Sequence, residues 1–259
     1  RLLEMKEFFP ESFRLDLKDE RNAFFELCKE EQIWICKPSC SNRGQGIFLL
    51  KNPAAVNTLA AQLQSTTACL LQQPHKAPQA RIVQRYIHQP LLLEGKKFDV
   101  RSYLLVACTA PYVLFFAQGY VRLTCVNYDA TSEDLTVHLT NQHMQKKNPL
   151  YGQQKDETVW RMERFNSYVN EKFRKTSGLP TDWVFTVFTQ RMQQIMLQCF
   201  LAAQHKLDCK LGYFDLIGCD FLIDENFKVW LLEMNANPAL HTNCRALKDI
   251  IPAVVYESL

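Results

Sequence analysis

The sequence predicts an α+β fold, antiparallel sheets flanked by helices. Three stretches predict it. Residues 218–235 hold two apolar runs around the polar break Glu225-Asn226, the pattern of a two-stranded hairpin. Residues 97–105 alternate strictly, with Lys97, Asp99, Arg101 and Tyr103 on one face and Phe98, Val100 and Leu104 on the other. Residues 183–206 place Val187, Met192, Ile195, Met196, Cys199, Phe200 and Ala203 at helical spacing, an apolar stripe that reads as core.

The composition narrows the class. The 259 residues suffice for one large domain or two small ones. A chain that is 47% hydrophobic and 22% charged belongs with ordinary globular proteins. The net charge of +3 is too mild to argue for nucleic acid. The 10 cysteines include no C-x-x-C pair and several sit in apolar runs, so reduced core residues of an intracellular protein are expected, not zinc ligands or a disulfide frame. No apolar run approaches the ~20 residues of a membrane span, and no signal peptide is visible. Because the chain starts at Arg1, a piece of a longer protein is expected.

In chain order, Phe8 to Phe13 forms an aromatic entry segment, and residues 19–32 have helical spacing through Phe24, Leu27 and Cys28. Residues 33–38 read as a short strand carrying Lys37. The loop Arg43-Gly44-Gln45-Gly46 follows, then the strand that begins at Ile47. Such a glycine hairpin lets backbone N–H groups approach an anion closely. It matches neither a Walker A loop nor a dinucleotide fingerprint, since no Gly-Lys-Ser/Thr and no helix follow. The alternative is an ordinary turn. Residues 53–64 read as a helix with proline in its first turn, and residues 65–80 as a loop. Residues 81–87 read as a buried strand. Its exit, Gln84-Arg85-Tyr86-Ile87, is a plausible place for a planar base to pair with backbone groups.

The charged row of residues 97–103 is either a solvated face or the wall of a phosphate cleft, with Arg101 placed to offset oxyanion charge. Residues 112–123 read as a strand pair ending near Arg122, residues 146–154 as a basic loop, and residues 156–174 as one amphipathic helix. Pro180-Thr181-Asp182 caps the long helix that follows, and a last helix contains Leu247, Ile250 and Ile251. With the hairpin turn centred between Glu225 and Asn226, Ile223 faces Lys228 and Asp220 faces Leu231. Asp220, Leu231, Glu233 and Asn235 then share one face. Two carboxylates and an amide make a hard oxygen site suited to Mg²⁺ carrying substrate phosphates. The alternative is a hairpin whose polar face is simply solvated.

Taken together, these motifs resemble the tubulin–tyrosine-ligase-like family, within the ATP-grasp fold. The residues that carry the resemblance are Trp34-Ile35-Cys36-Lys37-Pro38, Arg43-Gly44-Gln45-Gly46-Ile47, Gln84-Arg85-Tyr86-Ile87, Lys97-Phe98-Asp99-Val100-Arg101, His138-Leu139-Thr140-Asn141 and Leu232-Glu233-Met234-Asn235. It spans about residues 8–256, and residues 232–243 look most like the protein polyglycylase branch. The resemblance implies a central lobe over residues 1–90 and a C-terminal lobe with a metal site over residues 91–259, the N-terminal lobe being absent or truncated. Arg85 stands where many relatives carry lysine, and Arg245 where close relatives carry an acid.

By the same resemblance Lys37 contacts the ATP phosphates beneath the flexible loop Arg43 to Ile47. Gln84, Arg85, Tyr86 and Ile87 hold adenine, and Lys97 and Asp99 contact phosphate and ribose. Asp220, Glu233 and Asn235 coordinate Mg²⁺, and Arg101 stabilises the reacting carboxylate, with Glu233 as its catalytic partner. Arg122, Thr140 and Asn141 hold the incoming amino acid or finish the nucleotide pocket, and His241 and Asn243 lie near that amino acid. The implied activity is ATP-dependent glycine ligation to glutamate side chains of tubulin or another acidic protein, through an acyl phosphate. The implied protein is a cytoplasmic monomer on microtubules of the cytoskeleton, the cilium or the axoneme, binding neither nucleic acid nor membrane. Glutamate or tyrosine ligation on the same scaffold is one alternative. A degenerate member that only binds nucleotide or microtubules is another.

Overall fold

The computed structural model describes residues 2–28, 32–39, 46–72 and 80–258, with the backbone alone over 65–72. These residues form two compact units: Pro10–His88, and Arg1–Phe9 together with Gln89–Leu259.

In the smaller unit, β1 (Ser12–Arg14), α1 (Lys18–Leu27), β2 (Trp34–Pro38), β3 (Phe48–Leu50), α2 (Pro53–Gln72) and β4 (Arg81–Arg85) follow in order. The described strands form an antiparallel sheet in the order β1-β4-β2-β3. Phe24, Trp34, Cys36, Leu50, Leu59 and Val83 make its core, and Phe24 meets Trp34 edge-on with ring centroids 5.3 Å apart. Helix α2 starts at Pro53 because Asn52 Oδ1 accepts the Ala55 N–H at 2.9 Å. It runs past the expected loop at residue 65, to Gln72, because the segment is rich in alanine and leucine and holds no breaker.

The larger unit contains β5 (Leu92–Leu93), β6 (Lys96–Thr109), β7 (Tyr112–Leu123), α3 (Leu135–His138), α4 (Gln142–Gln145), α5 (Tyr151–Gln154), β8 (Val159–Arg161), α6 (Met162–Lys172), α7 (Thr189–Ala203), β9 (Asp215–Ile223), β10 (Val229–Asn235) and α8 (Leu247–Ser258). Its described sheet runs β10-β9-β6-β7-β8, with β5 paired to β6. One face packs Phe98, Val100, Leu104, Phe221 and Leu231 against α6 and α7. Tyr103, Tyr120 and Val159 pack with α8.

Several expectations need correction. Residues 112–123 are one long strand, not a pair, because β6 supplies a partner along their whole length. Residues 156–174 split into a 3-10 turn, strand β8 and α6, since Val159 and Trp160 pair with β7. The expected basic loop of residues 146–154 instead contains α5. The long helix opens with a π turn over Val184–Phe188. That extra residue rotates Val187 off the apolar stripe, leaving it 45% exposed, while Met192, Ile195 and Met196 stay in the core.

The 218–235 hairpin is real, but its register differs from the expected one. Ile223 pairs with Val229 and Phe221 with Leu231, and a bulge then sets Glu233 opposite Asp220. Leu231 therefore faces the core with Phe221, and only Asp220, Glu233 and Asn235 share the polar face. The extra residue reverses the alternation between Leu231 and Glu233.

Of the eight described free cysteines, Cys28, Cys36, Cys125, Cys219 and Cys244 are buried and Cys209 is exposed; Cys40 and Cys69 are outside the described side chains. No described helix is long and apolar enough to cross a membrane.

Candidate active site

In the smaller unit, the burial of Trp34, Cys36 and Pro38 turns Lys37 to the opposite face of β2. Lys37 lies diagonally across from Gln84 on β4, and its Nζ donates to Gln84 Oε1 at 2.9 Å. Gln84 Nε2 in turn donates to Ser12 Oγ at 3.0 Å. Gly46 takes φ +70°, and its carbonyl accepts from Arg81 Nη1 at 3.0 Å. Ile47 joins that turn to β3, and Arg43, Gly44 and Gln45 lie outside the described residues. Arg85 stacks over Trp34 and binds Glu11 Oε2 at 2.7 Å. Tyr86 is buried, its N–H donating to Ile33, and Ile87 is half-buried beyond the strand end.

In the larger unit, cross-strand register builds one polar row. Glu233 pairs with Asp220, Asp220 with Arg101, and Arg101 with Tyr120. Asp99 pairs with Arg122 one step along. Lys97, Asp99 and Arg101 are only 6%, 5% and 7% exposed, so the solvated-face alternative fails.

The side chains close into an ionic network. Arg101 grips Asp220 with Nε to Oδ1 at 2.5 Å and Nη2 to Oδ2 at 3.0 Å. Arg122 grips Asp99 in the same two-pronged way, at 2.7 and 2.6 Å, and reaches Asp220 Oδ2 at 2.8 Å. Thr140 Oγ1 donates to Asp99 Oδ2 at 2.6 Å. Two guanidiniums thus balance two carboxylates out of water, the geometry in which buried charges are tolerated. Burial alone would raise the Asp220 pKa, but Arg122 and Arg101 hold it well below the usual carboxylate range.

Two glycines make the row possible. Gly119 takes φ +73° in the bulge of β7, where a Cβ would lie 1.8 Å from the Arg101 carbonyl oxygen. At Gly218 a Cβ would come within 2.7 Å of Pro238 and 3.3 Å of the Arg101 side chain.

Burial pushes the Lys97 ammonium down to about 7, against the opposing pull of Asp99. Lys97 Nζ also lies 5.8 Å from the Tyr128 ring centre. The unfolded chain keeps this proton up to the ordinary lysine value of 10.5. Between those values it binds more protons than the folded chain, so Lys97 adds stability as pH rises. Wild type is expected to gain up to about 1.4 kcal/mol per pH unit over Lys97→Met between about pH 7 and 9. Denaturant melts across that range test this; parallel stability curves would refute it.

Glu233 is exposed and Asn235 half-buried. Asn235 Nδ2 donates to Glu233 Oε1 at 3.1 Å and to the Gly218 carbonyl at 3.4 Å, leaving Oδ1 as the amide's remaining acceptor. Among the described residues no three His, Cys, Asp or Glu side chains converge. Asp220, Glu233 and Asn235 bring two carboxylates and an amide oxygen to one face, oxygen donors of the kind a hard divalent cation takes, and both Asp220 oxygens already accept from Arg101 and Arg122.

The remaining expected residues make contacts outside the ionic network. Asn141 Oδ1 caps α4 by accepting the Met144 N–H at 2.9 Å. Asn243 Nδ2 donates to Gln142 Oε1 at 2.8 Å. His241 and Arg245 are exposed, and the Arg245 N–H donates to Asp156 Oδ1 at 2.9 Å. Nothing local in the sequence singles out Gln145, although it is fully buried beside this row.

This fold of antiparallel sheets flanked by helices is that of an ATP-grasp-like ligase family. The family model described as "Tubulin-tyrosine ligase family" matches residues 2–259, and the chain belongs to that family. Within it the chain falls in the polyglycylase branch. It is 64% identical to the protein polyglycylase TTLL10 of Mus musculus, over 100% of this chain and 37% of that protein. It is 63% identical to the inactive polyglycylase TTLL10 of Homo sapiens, over 100% of this chain and 39% of that protein. The tubulin monoglutamylase TTLL4 of Mus musculus is 30% identical over 91% of this chain and 19% of its own length. The chain thus spans well under half the length of these curated relatives.

Proposed function

We propose that this chain carries the ligase machinery of a protein polyglycylase, which joins glycine to glutamate side chains of tubulin or another acidic protein at the expense of ATP. The observation that carries the reading is the Glu233–Asp220–Arg101 row, set within a chain 64% identical to a polyglycylase along its whole length.

In this reading Lys37 and the loop Arg43, Gly44, Gln45, Gly46 and Ile47 hold the ATP phosphates, and Gln84, Arg85, Tyr86 and Ile87 the adenine. Lys97 and Asp99 complete the nucleotide contacts. Asp220, Glu233 and Asn235 hold Mg²⁺, which when bound offsets charge on the phosphates. Arg101, immobilised by Asp220, orients the acceptor glutamate. The glutamate oxygen forms a bond to the γ-phosphorus as the bond to ADP breaks. The amine of the free amino acid then attacks the acyl carbon and releases phosphate. Arg122 and Thr140, with Asn141, His241 and Asn243, take up that amino acid. The setting is cytoplasmic, at microtubules, the cilium or the axoneme.

The test is the full-length protein with ATP, Mg²⁺, tubulin and labelled glycine, glutamate or tyrosine, read by mass spectrometry of the acceptor tails. Glycine addition that disappears in a folded Glu233→Gln variant is expected. Glutamate or tyrosine addition overturns the choice of amino acid, and undiminished ligation by Glu233→Gln overturns the metal assignment. A second reading, a binder without turnover, is favoured by one observation: the relative from Homo sapiens, 63% identical, is named inactive. ATP binding with no addition of any amino acid would select it.

A further inference from the structure

Gln145 is fully buried in α4, and its side chain uses both ends. Its Oε1 accepts the Cys125 N–H at 2.7 Å. Its Nε2 donates to the carbonyls of Thr136 and Leu139, at 2.7 and 2.5 Å. Its own N–H donates to the Asn141 carbonyl at 3.0 Å. One residue thus holds the carbonyls on both sides of Thr140 and, through Cys125, the end of the segment that follows Arg122. Arg122 and Thr140 are the two groups that grip Asp99, from strand β7 and from the turn between α3 and α4.

The neighbours of Gln145 continue the same frame. Thr136, whose carbonyl Gln145 holds, is fastened by Asp134, with N–H to Oδ1 at 2.8 Å and Oγ1 to Oδ2 at 2.7 Å. Thr124, beside Cys125, donates its N–H to the Lys97 carbonyl at 2.9 Å. A glutamine meets these demands where its relatives in size do not. Glutamate has no amide donor for two carbonyls, methionine has none and only a weak acceptor, and asparagine is one methylene short.

We propose that Gln145 is a positioning residue for the amino-acid step: it fixes the distance between Arg122 and Thr140 so that both present to one small amino acid. This rests on the ligase reading above. Loss of the frame should loosen the amino-acid pocket more than the nucleotide site, because Asp99 loses only its Thr140 partner and keeps both prongs of Arg122.

The test uses the full-length protein with ATP, Mg²⁺, tubulin and glycine. Gln145→Asn and Thr140→Val are each expected to raise KM for glycine about tenfold while KM for ATP changes less than about twofold. The double variant should be no worse than the poorer single one, because one acts through the other. Equal rises in both KM values, or effects that multiply in the double variant, would overturn the role of Gln145 alone. A wild-type protein that ligates no amino acid overturns the ligase reading and this assignment together. Should Gln145→Asn fail to fold, amide hydrogen exchange on wild type decides. The Cys125 and Gln145 amides, which donate to Gln145 Oε1 and to the Asn141 carbonyl, are then expected to become slower to exchange when glycine is added to the ATP complex; no change on adding glycine would refute the proposal.

Discussion

Replacing Asp220 by asparagine should destabilise the protein by about 3–5 kcal/mol, because it strands a buried cation. Asp220 is 4% exposed and takes hydrogen bonds from both Arg101 and Arg122. Asparagine keeps the shape but cancels one of the charges that offset the two guanidiniums. Arg122 retains Asp99, whereas Arg101 loses its two-pronged partner. The pH dependence carries the same signature. The folded pKa of Asp220 lies well below its ordinary 3.8, so the pair's contribution is present above about pH 4 and fades as pH falls below it. Guanidinium denaturation near pH 7 should therefore separate wild type from Asp220→Asn widely, with a narrower gap near pH 3. A loss under about 1 kcal/mol at neutral pH would mean the pair is not buried as described.

Gly119→Ala is the second large effect, about 4 kcal/mol or more. The cause is backbone, not charge. At φ +73° an alanine is strained, and its Cβ would sit 1.8 Å from the Arg101 carbonyl oxygen. The strand must move, and the strand it meets is the one that carries Arg101. Both stability and the Arg101–Asp220 geometry should suffer, read as a lower denaturation midpoint at unchanged slope. A variant within about 1 kcal/mol of wild type would show that β7 can form without its bulge. Gly152, where an added Cβ would meet nothing within 4 Å, is the control: Gly152→Ala should be neutral within about 0.5 kcal/mol.

Much of the fold was legible because its signals are local. The alternation through Lys97–Arg101 survives as the inner face of β6, and the two apolar runs around Glu225-Asn226 survive as β9 and β10. Pro53 and Asn52 mark a real helix start. The misreadings share a cause. Residues 65–72 continue a helix, residues 159–161 become a strand, and residues 184–188 form a π turn, each settled by neighbours remote in sequence or by the absence of a breaker. Gln145 had no signal at all, since its partner Cys125 is 20 residues away.

Residue order alone puts Lys97, Asp99 and Arg101 on one face of a strand and Asp220, Glu233 and Asn235 on one face of a hairpin, with Leu231 wrongly among them and Arg122 on no assigned face. Period-2 geometry requires that much once the strands exist. Which of these groups meet is settled only in the folded chain. The bulge after Leu231 moves Glu233 opposite Asp220, and the Leu231 N–H is held by the carbonyl of Phe8, far away in the chain. Alternation assigns a face only until a bulge reverses it, and whether one forms depends on hydrogen bonds between segments that no local pattern connects.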